Sequence, residues 1–192
     1  MIPTNIDPSS SPPIPTTDAT KLVELIRDVR VAMLTTFPDA ATSPIADSSG
    51  GMHTRPMYTQ KLDPPHASSP NRFDGHLWFM TDDASQKLRE LADEQRVLIT
   101  YADEGKNIYA AVYGRASAER NPQKARELWN IHAKGWWPGG PEDPRLMLIR
   151  VAVDAAEYWD GPSNTSYLLN LFKAVATGER VQIKSEHGQL QT

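Results

Sequence analysis

The sequence predicts a mainly β protein with a few helices (α+β), its strands forming a barrel or sandwich under helical cover. Three observations carry that prediction. Apolar stretches of strand length, most of them alternating and several aromatic, recur from Val31 to Trp159. Short polar turns join many of them, and Ala102-Asp103-Glu104-Gly105 reads as a hairpin turn. Few segments show helical spacing, and at 192 residues the chain has the length of one domain with a substantial core.

The elements follow in order. Residues 1–17 set Pro3, Pro8, Pro12, Pro13 and Pro15 among serines and threonines, a composition that builds no core and reads as a flexible arm. Leu22, Leu25, Ile26 and Val29 share a helical face and give a first amphipathic helix. Strands are expected at Val31–Phe37, Met52–Lys61 and His76–Thr81. The stretch 62–74, with Pro64, Pro65 and Pro70, is a long excursion of the kind that is often functional or mobile. A helix over Ala84–Glu94 turns Leu88 and Leu91 inward. Strands Arg96–Ala102 and Asn107–Glu119 come next, then a helix over Pro122–His132. Leu146–Trp159 begins as a long apolar strand, Ser166–Ala176 gives a last helix, and 179–192 reads as a C-terminal tail.

Composition removes several function classes. The net charge of −4 offers no basic face for nucleic acid. Without cysteine there is no disulfide, thiol nucleophile or thiolate metal site. The five histidines lack paired ligand spacing, so no metal site is expected. Gly-x-Ser-x-Gly, Gly-x-Gly-x-x-Gly and Walker patterns are all missing. No apolar run approaches bilayer-spanning length and the N-terminus lacks the features of a secretory signal, so a cytoplasmic protein without a membrane partner is expected.

Two segments carry chemistry. In Leu77-Trp78-Phe79-Met80-Thr81-Asp82-Asp83-Ala84-Ser85-Gln86-Lys87 an apolar strand runs through a turn into a helix. A helix N-terminus stabilises an anion, Thr81 and Ser85 add hydroxyl donors, and Lys87 adds a full charge. The competing reading is that Asp83 or Ser85 simply caps the helix. The second segment is Gly50-Gly51-Met52-His53-Thr54-Arg55-Pro56-Met57. Pro56 marks a strand edge or bulge, which leaves Arg55 able to grip phosphate with its planar fork or to serve as an ordinary edge-strand charge. Together the segments are stronger than either alone, because a phosphate dianion needs about two positive charges to leave water.

These segments resemble the pyridoxamine 5'-phosphate oxidase-like, FMN-binding split-barrel family, and within it the bacterial general stress proteins. The resemblance rests on Thr54-Arg55-Pro56-Met57, Leu77-Trp78-Phe79-Met80-Thr81 and the Thr81, Ser85, Lys87 spacing. Three later segments agree: Tyr113-Gly114-Arg115-Ala116-Ser117, the run from Gly135 through Trp136 and Trp137 to Pro144, and Ala156-Glu157-Tyr158-Trp159-Asp160-Gly161. It implies a split β-barrel domain over 18–178, forming a homodimer with FMN, or alternatively FAD, at the subunit interface. On that reading Arg55, Ser85 and Lys87 hold the phosphate with help from Thr81. Gln86 stands where relatives often carry arginine. His53, Thr54, Pro56, Met57, Phe79 and Met80 would line the ring and ribityl chain, largely through backbone. Trp136 or Trp137 would either reach the flavin from the partner chain or anchor its own loop.

The resemblance weakens where true pyridoxamine 5'-phosphate oxidases bind substrate. Ile108-Tyr109-Ala110-Ala111 replaces their arginine- and glutamine-bearing strand, and the stretch Ser185–Thr192 has no arginine. That activity is therefore not expected. Three readings stay open: an FMN-dependent oxidoreductase of unknown substrate, a non-catalytic flavin sensor or store, and a split barrel holding haem or a deazaflavin. For haem, His53 or His132 would supply the axial ligand.

Overall fold

The alternating segments pair into one curled antiparallel sheet. The computed structural model describes residues 16–37, 51–60, 73–161 and 186–191. Helix α1 (Thr16–Ile26) leads into β1 (Val31–Thr36), β2 (His53–Tyr58) and β3 (His76–Asp82). Helix α2 (Gln86–Asp93), β4 (Arg96–Asp103) and β5 (Ile108–Glu119) follow. Helices α3 (Pro122–Leu128) and α4 (Ile131–Trp136) and a 3-10 turn (Gly140–Glu142) precede β6 (Leu146–Asp160) and β7 (Glu186–Gln191).

Among the described residues the strands run β2-β1-β4-β5-β6-β3, every pair antiparallel. The first half of β6 pairs with β3 and its second half with β7 on the same edge. The two ends of the path meet at one bridge, Thr59 to Phe79, where Gln60 N donates to Trp78 O at 2.9 Å. A sheet that closes through so narrow a seam is a split barrel. Pro56 lies on β2, the edge strand of the path, where its missing N–H leaves no central ladder position unpaired.

One face of the sheet encloses the main core. Leu22, Ile26, Leu34, Leu77, Phe79, Ile99, Val112, Ile149 and Val151 are fully or almost fully buried there. A smaller core on β3 and β6 gathers Met80, Leu146 and Leu148 under Ala125, Leu128, Ala133 and Trp137. The smaller core fixes α3 and α4 beside the end of β3.

Four expectations change. Helix α2 starts at Gln86 rather than Ala84, because the Asp82 carboxylate accepts from Ala84 N at 3.0 Å and holds the intervening residues in a turn. The single helix over Pro122–His132 is two helices broken at Trp129-Asn130, where the Asn130 side chain caps α4. The stretch read as a C-terminal tail contains β7, paired with Ala155–Asp160. The N-terminal arm gives way to helix already at Thr16. The expected helix Ser166–Ala176, residues 1–15 and most of the 62–74 excursion lie outside the described residues.

Candidate functional site

A groove of about 480 Å³ opens beside the seam, between β2, the end of β3, the start of α2 and α4. Its wall includes Pro56, Met57, Met80, Thr81, Ser85, Lys87, Trp136 and Trp137. Strand β3 delivers Met80 and Thr81, and the following turn brings Ser85 and Lys87 back to the same wall. At this polar end Lys87 Nζ donates to Thr81 Oγ1 at 2.9 Å and to Ser85 Oγ at 2.6 Å. Ser85 holds the N-cap position of α2, yet its side chain makes no capping bond. The hydroxyls and the ammonium therefore form one cluster rather than a helix cap. Burial depresses the Lys87 pKa, and the nearby Arg55 charge depresses it further.

Behind this cluster lies a buried polar network. Residues His53 and Arg55 alternate on one face of β2 and both meet Glu90 of α2. Arg55 Nη2 donates to Glu90 Oε2 at 2.7 Å, and Arg55 Nη1 donates to Thr36 Oγ1 at 2.9 Å. Thr36 Oγ1 in turn donates to Glu90 Oε2 at 2.6 Å. His53 Nδ1 lies 2.6 Å from Glu90 Oε1. Burial pushes the Glu90 carboxyl up, but the bonds from Thr36 and His53 and the charge of Arg55 outweigh it, so its pKa is lowered. An ionised carboxylate only accepts, which assigns the proton to His53 Nδ1.

The remaining expected residues divide. Thr54 is exposed on the opposite face of β2, with its Oγ1 2.8 Å from that of Thr35. The Phe79 side chain is wholly in the barrel core, so only its backbone can face a ligand. Gln86 is exposed and outside the groove wall. The two indoles separate: Trp137 is 8% exposed and packed in the smaller core, whereas Trp136 is 77% exposed at the groove.

The sequence reading missed several wall residues. Tyr58 faces His132, which was considered only as a haem ligand, with ring centroids 4.9 Å apart, and Asn130 Nδ2 donates to Gln60 Oε1 at 2.8 Å. Val31 and Asp82 also line the groove. Asn130 carried a detectable signal, being a capping residue inside a helical pattern. His53 is tied to Glu90 and His132 lies beside Tyr58, so the two histidines considered for haem occupy different settings. Among the described residues no three His, Asp or Glu side chains gather as metal ligands, and no helix is long and apolar enough to cross a membrane.

The fold is a split barrel whose seam opens on a groove walled in part by Thr81, Ser85 and Lys87, with Arg55 and His53 outside that wall. Residues 17–182 match the family model described as pyridoxamine 5'-phosphate oxidase like, and the chain belongs to that family. A putative general stress protein 26 from Jannaschia sp. CCS1 superimposes with a TM-score of 0.67 at 20% identity, over 93% of this chain and 100% of that one. The general stress FMN/FAD binding protein of Xanthomonas citri gives 0.57 at 25% identity, over 74% of this chain and 87% of that one. Protein bli-3 of Neurospora crassa is 30% identical over 112 residues. That match covers 54% of this chain and 54% of bli-3, so the chain spans about half the length of this curated relative.

Proposed function

We propose that this protein is a flavoprotein oxidoreductase that binds FMN in the groove at the barrel seam. The observation that carries the reading is the Lys87 ammonium held between the Thr81 and Ser85 hydroxyls, within electrostatic reach of Arg55. One cation and two hydroxyls in the wall of a groove of about 480 Å³, with the Arg55 charge close enough to act on Lys87, suit a phosphomonoester dianion whose remainder is flat and apolar. The FMN/FAD-binding description of the Xanthomonas citri neighbour supports the same ligand class.

On this reading Lys87, Arg55, Thr81 and Ser85 bind the phosphate. Met57, Met80 and Pro56 exclude water along the chain and ring, with backbone at His53, Thr54 and Phe79 nearby. Trp136 offers an exposed indole for stacking at the rim. The bound flavin supplies the redox chemistry, and the chain orients it and sets its surroundings.

The working form is a homodimer. Val31, Met33, Tyr109, Tyr113 and Trp159 are exposed apolar side chains on β1, β5 and β6. Val31, Met33, Tyr109 and Trp159 line a second depression of about 450 Å³, and Val31 also lines the groove. A second copy seated on this face would therefore extend the groove wall, which is the observation favouring a shared site.

The deciding experiment is an absorption spectrum of the purified protein with mass spectrometry of the released ligand. Stoichiometric FMN is expected; a colourless protein that also refuses added FMN would overturn the reading. Sedimentation at low micromolar concentration is expected to show a dimer, and a flavin-holding monomer would remove the shared site. Bound flavin should be reduced by NAD(P)H and reoxidised by an added acceptor. Flavin that stays oxidised would leave a carrier or sensor instead.

A further inference from the structure

Glu90 is out of place in a phosphate subsite. Its side chain is only 4% exposed, on the same helix as Lys87 and three residues further on. A buried negative charge next to an anion site opposes the anion, and burying the carboxylate is itself costly. Three donors nevertheless converge on it: Thr36 from β1, and His53 and Arg55 from β2. Arg55 has five N–H donors, and Thr36 and Glu90 each take one. The guanidinium is thus fixed against the strand by a hydroxyl and a carboxylate while its side chain keeps 21% exposure.

We propose that Glu90 is a positioning residue for phosphate recognition: it holds the Arg55 guanidinium in place so that Arg55 and Lys87 meet a phosphomonoester as a preset pair. The proposal rests on the flavin-phosphate reading above. Helix α2 then does two jobs. Its first turn presents Ser85 and Lys87, and its next turn presents the carboxylate that locks the cation from β2. A long arginine that would lose rotamer freedom on binding has already lost it in the free protein, which strengthens phosphate binding by preorganisation. His53 occupies the other carboxylate oxygen and keeps Glu90 from rotating away from Arg55.

Charge and positioning predict opposite signs, which makes the proposal testable. Removing a negative charge near the phosphate should by itself tighten FMN. Removing a positioning contact should loosen FMN and leave riboflavin, which lacks the phosphate, unchanged. The experiment titrates flavin-free protein with both flavins for wild type and for Glu90→Ala, Glu90→Asp and Glu90→Gln. Glu90→Ala is expected to lower FMN affinity about tenfold with riboflavin unaltered, the usual scale for one charge-assisted hydrogen bond. Glu90→Asp keeps the charge, withdraws the reach and remains usable if the alanine variant fails to fold; it should show a smaller loss of the same kind. Glu90→Gln, able to accept from Arg55 and Thr36 without the charge, should bring the ratio of FMN to riboflavin affinity back to the wild-type value or above it. In an Arg55→Ala background the Glu90 changes should cause no further loss of FMN affinity.

Tighter FMN binding in the alanine or aspartate variant would overturn the proposal, as would equal losses for both flavins or additive losses with Arg55→Ala. A wild-type protein that prefers FMN no more than riboflavin would instead remove the phosphate reading and this proposal with it.

Discussion

Lys87 Nζ donates to Ser85 Oγ at 2.6 Å, so the residue at the N-cap position of α2 turns its side chain to a lysine instead of to the helix. Ser85→Ala should therefore leave stability within about 0.5 kcal/mol of wild type, as for an ordinary surface change. Asn130 is the contrast. Its Oδ1 accepts from His132 N and Ala133 N, and its Nδ2 donates to Gln60. Asn130→Ala should cost about 1 kcal/mol or more. Urea unfolding of both variants checks the pair, and an Ser85→Ala loss matching that of Asn130→Ala would return Ser85 to a capping role. Weaker FMN binding with unchanged riboflavin binding is expected for Ser85→Ala alone.

Lys87 predicts a pH dependence. Burial and the neighbouring Arg55 hold its pKa below the 10.5 of a free lysine. As pH rises through that lowered value the ammonium is lost, and with it a charge that the phosphate needs. FMN affinity should begin to fall below pH 10.5, whereas riboflavin reports only ionisation of the ring. The difference between the two profiles should vanish in Lys87→Ala, which should also weaken FMN far more than riboflavin. Parallel profiles for FMN and riboflavin in wild type would refute the role given to Lys87.

Glu90 acts on stability at the acid end. Its folded pKa lies below the unfolded value of 4.5, so the stability it contributes is complete above 4.5 and disappears as pH falls through the depressed folded value. Thermal unfolding between neutral pH and pH 3 or so should show a steep acid limb that Glu90→Gln flattens. An acid limb of the same steepness in both proteins would place the titrating group elsewhere.

The sequence made β3, its turn and the cluster Thr81, Ser85 and Lys87 legible, because strand alternation and three nearby polar residues are local properties. Glu90 was not legible. On an amphipathic helix it reads as one more solvated charge, and only its contacts with β1 and β2, 54 residues away at Thr36 and 35 at Arg55, bury it. Strand β7 was missed for a related reason: Glu186-His187-Gly188-Gln189-Leu190-Gln191 has little apolar alternation, and its pairing with β6 is made by backbone. The indole pair could be read either way from sequence, since an indole packs in a core or stacks at a rim equally well. The structure packs Trp137 in the smaller core and leaves Trp136 exposed, both at the groove wall.

Gly114 marks the bulge between β5 and β6, where Tyr113 pairs with Ala155 but Gly114 pairs with Val153. A Cβ added there would lie 2.3 Å from the Ala152 carbonyl oxygen and 2.9 Å from Val151 Cγ1. Backbone cannot yield as a flexible side chain does, so Gly114→Ala should destabilise by about 1–3 kcal/mol, the range for overpacking. A shift of the urea midpoint with unchanged slope checks this. An unchanged midpoint would mean the two strands can separate there without loss.

Trp136 and Trp137 are neighbours in sequence with opposite predicted effects. Trp137 is packed against the apolar residues that join α3 and α4 to β3 and β6, so Trp137→Ala should cost about 3–5 kcal/mol. Flavin binding should fail with it, because the same small core includes Met80 of the groove wall. Trp136 is 77% exposed, and Trp136→Ala should leave the unfolding midpoint close to wild type. Its effect should appear only with flavin present: FMN should quench tryptophan emission in wild type, and the quenched fraction should shrink in Trp136→Ala as FMN and riboflavin affinities fall together, since stacking involves the ring and not the phosphate. Full quenching and unchanged affinity in that variant would remove Trp136 from the ligand's surroundings. A loss confined to FMN would instead move it to the phosphate end of the groove.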